Sequence, residues 1–176
     1  MHPKFVTALL NDLFGIQSRA GCSCAGPYGH RLLAIGHDVS EQYRAWVRKG
    51  YQGFKPGWCR IGFHFVMDDV DADFVIEAVL FAAAQGYKFL PLYRFDPFSG
   101  AWQHRDARDD APPLSLDAAL TVQDVSPTAL PAAERARLFA GYLAEARSIA
   151  VSLDEPRGGP RKVLDGAFGE LQFFSA

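Results

Sequence analysis

The spacing of apolar residues changes along the chain, and this change most restricts the possible folds. Over residues 3–14, 69–86 and 131–153, apolar residues recur at intervals of three and four, which is typical of helices with one buried face. Residues 58–66 instead alternate between apolar and other side chains, as in a strand with one covered face. Because helical segments predominate, we expect an α+β domain in which helices cover a short sheet.

Flanking residues predict where these elements begin and end. Gly15 is a common helix stop, Asp68 suits the N-cap of the second long helix, and Pro131 suits the first position of the last one. Shorter elements are predicted less directly: helices over residues 30–35 and 40–49, and strands over residues 15–19, 87–93 and 168–174.

The same spacing predicts which faces are buried. In residues 58–66, Arg60 is expected to point away from the core, whereas a helix layer covers Cys59, Ile61, Phe63 and Phe65. In the helix after Asp68, the expected buried residues are Val70, Phe74, Ile76, Val79, Leu80 and Ala83. In the last helix they are Leu138, Phe139, Tyr142, Leu143, Ala146, Ile149 and Leu153.

Residues 94–130 differ in composition from the rest of the chain. Asp-Pro, Ser-Gly and Pro-Pro pairs and a charged run over residues 105–110 predict a long, mobile surface connection. We therefore divide the chain into a domain over residues 1–93, this connection, and a C-terminal helix with a closing segment over residues 131–176.

Composition limits the class of protein. The formal net charge of −2 does not indicate a nucleic acid or an anionic membrane as partner. No apolar run approaches the roughly 20 residues that span a bilayer, and the first residues lack the layout of a secretory signal. The three cysteines make an odd number, which argues against a disulfide framework. We expect a cytoplasmic, reduced protein.

Two segments carry residues suited to chemistry. The first is the glycine-rich stretch over residues 19–27, where Arg19 precedes Cys22 and Cys24. A thiol on such a loop can approach a substrate closely, and a nearby arginine favours its reactive thiolate. The second is Arg60, because a guanidinium on a strand can hold a carboxylate through two parallel hydrogen bonds.

Both segments also have plainer interpretations. The loop can be a tight turn, and Arg60 can form a surface ion pair. Cys22, Cys24 and His30 could bind zinc, but the cysteines are closer together than is usual for zinc ligands, so we assign no metal ligand. Cys59 falls on the apolar face and is expected to be a small core residue.

The order of these motifs resembles the small domain of class V aminotransferase-fold proteins, in particular the cysteine desulfurase and selenocysteine lyase branch. In cysteine desulfurases an Arg-x-Gly-x-x-Cys-Ala loop carries the cysteine that takes sulfur from the substrate. This chain matches that pattern in register with Arg19, Gly21, Cys24 and Ala25. A later strand of the family supplies a carboxylate-binding arginine, which Arg60 matches. The resemblance covers about residues 3–93.

The resemblance implies both a fold and an activity. The fold is the small C-terminal domain of a fold-type I enzyme that depends on pyridoxal phosphate, here with a C-terminal helical extension. The activity is desulfurase-like sulfur or selenium transfer from an amino-acid substrate, in an enzyme that is a homodimer when complete. Cys24 would be the catalytic persulfide carrier, Arg60 the carboxylate anchor and Arg19 a second contact to the substrate or to the loop.

The chain departs from the family where the cofactor should be held. In the family a lysine after a Ser/Gly-x-His sequence binds pyridoxal phosphate, and none of the five lysines has that setting: Lys4, Lys49, Lys55, Lys88 and Lys162. We therefore assign no cofactor-binding residue to this chain. We expect the large domain to lie upstream or in a separate chain, and the chain alone to be inactive.

Three alternatives remain open. In an aminotransferase or lyase of the same class, Cys24 would only line the pocket. The chain could instead be a non-enzymatic orphan domain, which would leave the helix over residues 3–14 without a partner surface and prone to associate. A small zinc protein built on Cys22, Cys24, Cys59 and His30 ranks last.

Overall fold

The computed structural model describes residues 1–21, 26–108, 115–121, 130–153 and 171–175, which form an α+β fold. The helices are α1 (Pro3–Phe14), α2 (Gly26–Leu32), α3 (His37–Arg48), α4 (Asp69–Gln85), α5 (Leu116–Thr121) and α6 (Ala132–Ser152). The strands are β1 (Arg19–Gly21), β2 (Trp58–Arg60), β3 (Tyr93–Phe95) and β4 (Trp102–His104). Within these residues β1 pairs with β2 and β3 with β4, both antiparallel. Short 3-10 helices cover Gln52–Phe54 and Gly86–Leu92.

The first helix begins and ends where its local sequence predicts. His2 caps α1, because its Nδ1 accepts a hydrogen bond of 3.1 Å from the Lys4 backbone N–H, and Pro3 occupies the first turn. Gly15 ends the helix in the left-handed region with a φ of 65°, a conformation that glycine adopts without steric cost. The predicted helix over residues 3–14 is confirmed.

Helix α1 lies at the centre of the core. Its Phe5, Leu9 and Leu10 are fully buried, and it contacts α4, α6, β1, β2 and β4. Phe5 also packs edge-on against Tyr93, with ring centroids 5.2 Å apart. The expectation that an orphan domain would leave this helix without a partner surface is therefore wrong, because other elements of the same chain cover it.

Helices α4 and α6 pack against each other through an aromatic stack. The rings of Phe74 and Phe139 are nearly parallel, with centroids 4.0 Å apart. At the start of α4, Asp68 accepts a hydrogen bond from the Asp71 N–H, as predicted for an N-cap. Arg135 of α6 forms ion pairs with both of these aspartates, which fixes the start of α4 against α6. Pro131 is the N-cap of α6 and not its first residue, so the helix begins one residue later than predicted.

The predicted buried face of α4 is partly wrong. Leu80 is 57% exposed and Ile76 is also exposed. The face that enters the core instead consists of Phe74, Val75, Ala78, Phe81 and Ala82. This helix carries apolar residues around most of its circumference, so their spacing alone does not select the buried side. In α6, Leu143 and Ala146 are buried as predicted, whereas Leu138 and Tyr142 are exposed.

The strand predicted over residues 58–66 ends at Arg60. Only three of its residues pair with β1, so the later alternating residues have no partner strand, and Phe65 is 91% exposed. Cys59 and Ile61 do pack against the core, as expected. The other short elements overlap their predicted ranges but are shifted: β1 begins at the last residue of 15–19, α2 begins before residue 30 and ends at Leu32, and α3 begins before residue 40.

The predicted strand over residues 87–93 is wrong. A 3-10 helix occupies Gly86–Leu92, and its Pro91 lacks the N–H that a strand ladder would need. The chain becomes extended only at β3. The predicted closing strand over residues 168–174 is not seen at residues 171–175, where Leu171 and Phe174 are buried without strand pairing; residues 168–170 lie outside the described ranges.

Part of the predicted mobile connection is ordered and buried. Strand β4 lies within residues 94–130, and its Trp102 belongs to the core. The boundary predicted after residue 93 falls inside β3, between Tyr93 and Arg94. The irregular composition of this region reflects the loop of the β3–β4 hairpin, where Asp96 accepts hydrogen bonds from the backbone N–H groups of Phe98 and Ser99.

One helical stretch, Asp69–Leu92, is long and apolar enough to cross a membrane by length and composition. Acidic residues stand in its first turn, and its Phe74 and Phe81 belong to the core of the domain. Core helices of small domains pass the same test, so one such stretch is weak evidence for a membrane span.

Candidate functional site

The two arginines that the sequence predicts to bind substrate lie opposite each other. In the antiparallel register of β1 and β2, Arg19 pairs with Arg60, Ala20 with Cys59, and Gly21 with Trp58. Residues that are directly opposite share one face of a sheet, with Cβ atoms about 5 Å apart. Both arginines are exposed. The fold therefore brings together two candidate residues that are distant in sequence.

The arginine pair has no acidic partner in the part of the chain that the structure describes. Neither the Arg19 nor the Arg60 side chain takes part in the ion pairs or side-chain hydrogen bonds found there, whereas Arg44, Arg135 and Arg147 each pair with an acidic side chain. Like charges directly opposite each other on a sheet are unfavourable. Two guanidinium groups on one face together carry ten N–H donors that suit carboxylate oxygens.

The opposite face of β2 anchors the strand to the core. Cys59 is half-buried, packs against the core, and lies 3.5 Å from the Ser18 hydroxyl through its Sγ atom. This agrees with its prediction as a small core residue. Because side chains alternate along a strand, the same arrangement turns Arg60 outward.

The cysteine predicted to be catalytic, Cys24, lies outside the described residues, as does Cys22. Strand β1 ends at Gly21 and α2 begins at Gly26, so residues 22–25 directly follow the strand of Arg19 in sequence. The role of Cys24 stays a prediction. Among the described residues no group of three His, Cys, Asp or Glu side chains could hold a metal ion, which leaves a zinc site on Cys22 and Cys24 untested.

None of the described lysines follows the Ser/Gly-x-His sequence that would hold pyridoxal phosphate. Lys4 donates a hydrogen bond of 2.7 Å from its Nζ to the Ser99 carbonyl oxygen. Lys49 lies over the Trp46 ring, 4.1 Å from its centroid. Lys55 lines a surface cavity without a Ser/Gly-x-His sequence before it. The residues present fit a carboxylate better than they fit the cofactor.

The groups with the largest pKa shifts lie in the core and not at the arginine pair. Burial lowers the pKa of His2 to about 4, although its hydrogen bond to Gly53 acts in the opposite direction. Burial, and the hydrogen bond that its hydroxyl donates to Asp12 over 2.7 Å, raise the pKa of Tyr93. Both groups serve the fold.

Sequence reasoning missed a second feature, a cavity of about 400 Å³ between α2, α3 and the segment before β2. Arg44, Val47 and Arg48 of α3 line it together. Their spacing of three and four residues places them on one side of the helix, and this pattern was the available signal. The cavity also requires α2 and Trp58, which sequence spacing does not relate to α3.

Comparisons with known proteins assign no family to this chain. No family model matches the sequence, no curated protein matches it, and no solved structure matches its fold. The class that the fold and the site define is a small α+β domain that presents two opposed arginines.

Proposed function

We propose that this chain is the substrate-binding small domain of an enzyme that depends on pyridoxal phosphate and has the class V aminotransferase fold. The register between Arg19 and Arg60 is the observation that carries the proposal. The sequence motifs assign each arginine separately to substrate binding. Their meeting on one exposed face is what a carboxylate anchor requires, since one anion can then accept hydrogen bonds from both side chains.

Each residue has its own role in this proposal. Arg60 holds the substrate carboxylate, and its strand is rigid because Cys59 packs into the core on the other face. Arg19 adds a second contact to the same carboxylate. The chemistry that the cofactor supplies when bound is that of an electron sink. We assign its lysine to the large domain of the full enzyme, because no lysine of this chain follows a Ser/Gly-x-His sequence.

The reaction proposed is cysteine desulfurase-like transfer of sulfur or selenium, with Cys24 as the persulfide carrier. Cys24 lies five residues after Arg19 in sequence, so the thiol and the second carboxylate contact belong to one continuous segment. We place the complete enzyme in the cytoplasm as a homodimer. This chain alone is expected to be inactive.

The test is to translate the reading frame upstream of the Met1 codon and to assay its full product for sulfide release from L-cysteine. The proposal expects a Ser/Gly-x-His-Lys segment upstream. Cys24→Ser should abolish sulfide release, whereas the matched control Cys22→Ser should retain it. If Cys24→Ser releases sulfide normally while Arg60→Gln does not, the aminotransferase or lyase alternative replaces persulfide transfer. An upstream frame without the lysine segment removes the enzymatic proposal for this gene product.

A free-standing binding domain is the second candidate. It is favoured by the complete burial of Phe5, Leu9 and Leu10 within this chain, because the fold covers its own first helix. Under this alternative the arginine pair binds a carboxylate without further chemistry. A folded, monomeric chain that binds carboxylates and has no large domain encoded nearby would support it.

A further inference from the structure

The cavity beside α3 has the size of a ligand site. It occupies about 400 Å³ between α2, α3 and the residues from Lys55 to Trp58. Small-molecule sites commonly measure about 300–1,000 Å³. Neither Arg19 nor Arg60 lines this cavity, so it is separate from the arginine pair.

One wall of the cavity is aromatic and tightly packed. A Cβ atom at the buried Gly29 would lie 3.2 Å from Cζ3 of Trp58, so the absence of a side chain lets the indole lie directly against α2. Tyr28 packs edge-on against the same indole, with centroids 6.3 Å apart. The rest of the apolar lining consists of Leu33, Ile35, Val47 and Pro56. An apolar ring would gain burial and aromatic contact against this wall.

The rim of the cavity is positively charged. Arg44, Arg48 and Lys55 line it, and none of the described residues of its lining is acidic. Arg44 is paired with Glu41 at 2.5 Å. For the side chains of Arg48 and Lys55, the described ranges contain no ion-pair or hydrogen-bond partner. Two cations beside an apolar wall favour an anion whose body is apolar.

We infer that this cavity binds a small arylalkanoate, with its ring against Trp58 and its carboxylate at Arg48 and Lys55. The ring and the carboxylate are both needed, because the wall contributes apolar burial and the rim contributes charge. This site is independent of the proposed enzyme, since it uses neither Cys24 nor the arginine pair.

The indole N–H signals in the NMR spectrum of the nitrogen-labelled chain provide the test. Titration with phenylbutyrate should shift the Trp58 signal with saturation, while the signal of the core residue Trp102 stays in place. Phenylbutanol keeps the ring without the charge, and butyrate keeps the charge without the ring. Each should bind at least about tenfold more weakly than phenylbutyrate.

Variants separate this site from the arginine pair. The double variant Arg48→Gln, Lys55→Gln should weaken the binding of phenylbutyrate at least about fivefold. Arg94→Gln removes an exposed arginine from β3 and should leave the affinity for phenylbutyrate unchanged. Arg60→Gln should also leave this affinity unchanged. An unshifted Trp102 signal verifies the fold of each variant.

Three results would overturn the inference. The first is the absence of a saturable shift of the Trp58 signal, and the second is an affinity for phenylbutanol equal to that for phenylbutyrate. The third is loss of phenylbutyrate binding in Arg60→Gln while the double variant retains it. The last result would place the anion at the arginine pair and would leave the proposed function intact. Failure of the proposed enzyme in the sulfide assay would leave the phenylbutyrate result unaffected.

Discussion

Arg19 and Arg60 face each other on paired strands, and the described part of the chain supplies no acid between them. Side chains on adjacent strands are neighbours, so two positive charges in this register repel each other. A bound anion would relieve the repulsion and gain hydrogen bonds from both guanidinium groups. The pair is therefore more readily understood as a receptor for an anion than as a contribution to stability.

His2 illustrates a residue whose chemistry serves the fold alone. Its Nε2 donates to the Gly53 carbonyl oxygen over 2.9 Å, and its Nδ1 accepts from the Lys4 N–H. Phe174 packs edge-on against the ring at 4.6 Å, and Phe95 and Trp102 lie close by. Only the neutral ring with a proton on Nε2 satisfies both hydrogen bonds, because a proton on Nδ1 would face the Lys4 N–H.

This arrangement predicts a loss of stability in weak acid. The pKa of His2 is about 4 in the folded chain and 6.5 when unperturbed, so between these values the unfolded chain binds a proton that the folded chain does not. The free energy of unfolding should therefore fall as the pH decreases from 6.5 towards 4, by at most about 3 kcal/mol from this residue. Urea unfolding across this range measures the slope.

Two histidine variants test whether His2 causes this pH dependence of the free energy of unfolding. His2→Gln, whose side chain does not titrate, should flatten it, whereas the matched variant His37→Gln at the exposed start of α3 should keep it. An unchanged slope in His2→Gln would contradict the assignment of the pH dependence to this ring.

At the scale of elements, the contact between α4 and α6 connects the C-terminal helix to the rest of the domain. Leu143 is 8% exposed and belongs to the core, whereas Leu138 of the same helix is 37% exposed. Leu143→Ala should lower the free energy of unfolding by about 2–4 kcal/mol, because it leaves a cavity against α4 and α1. Leu138→Ala is the matched control and should cost less than about 1 kcal/mol. Equal costs in urea unfolding would show that the burial of α6 is assigned incorrectly.

The elements that the sequence predicts well are those with local determinants. His2, Pro3 and Gly15 set the ends of α1 through contacts within the helix and its caps, and Asp68 does the same for α4. Strand lengths depend on a partner that lies far away in sequence, so the alternation over residues 58–66 was no guide to where pairing stops. The buried side of α4 likewise depends on which neighbours pack against it.

The same distinction holds for the candidate site. A motif and a resemblance selected Arg19 and Arg60 individually, but only the pairing of β1 with β2 relates the two side chains. The cavity beside α3 could not be predicted, because it depends on the close packing of Gly29 against Trp58. Cys24 lies outside the described residues, so its predicted role stays a prediction.

At the scale of the whole molecule, one hydrophobic core joins residues from α1, α4, α6 and both strands of the β3–β4 hairpin. A shared core predicts that the chain unfolds as one cooperative unit. Helix content followed by circular dichroism and the environment of the buried Trp102 followed by fluorescence should then give the same urea midpoint. Two separate transitions would instead support a division of the chain near residue 93.

Carboxylate binding by the arginine pair is the central claim, and side-chain NMR of the arginine Nε–H groups tests it most directly. L-cysteine should shift the signals of Arg19 and Arg60 with saturation, whereas cysteamine, which lacks the carboxylate, should not. Arg60→Gln should abolish the shift of Arg19, and Arg94→Gln on β3 should preserve it, because Arg94 lies opposite the neutral Gln103. Absence of a saturable shift, or a response that survives Arg60→Gln, would contradict the account.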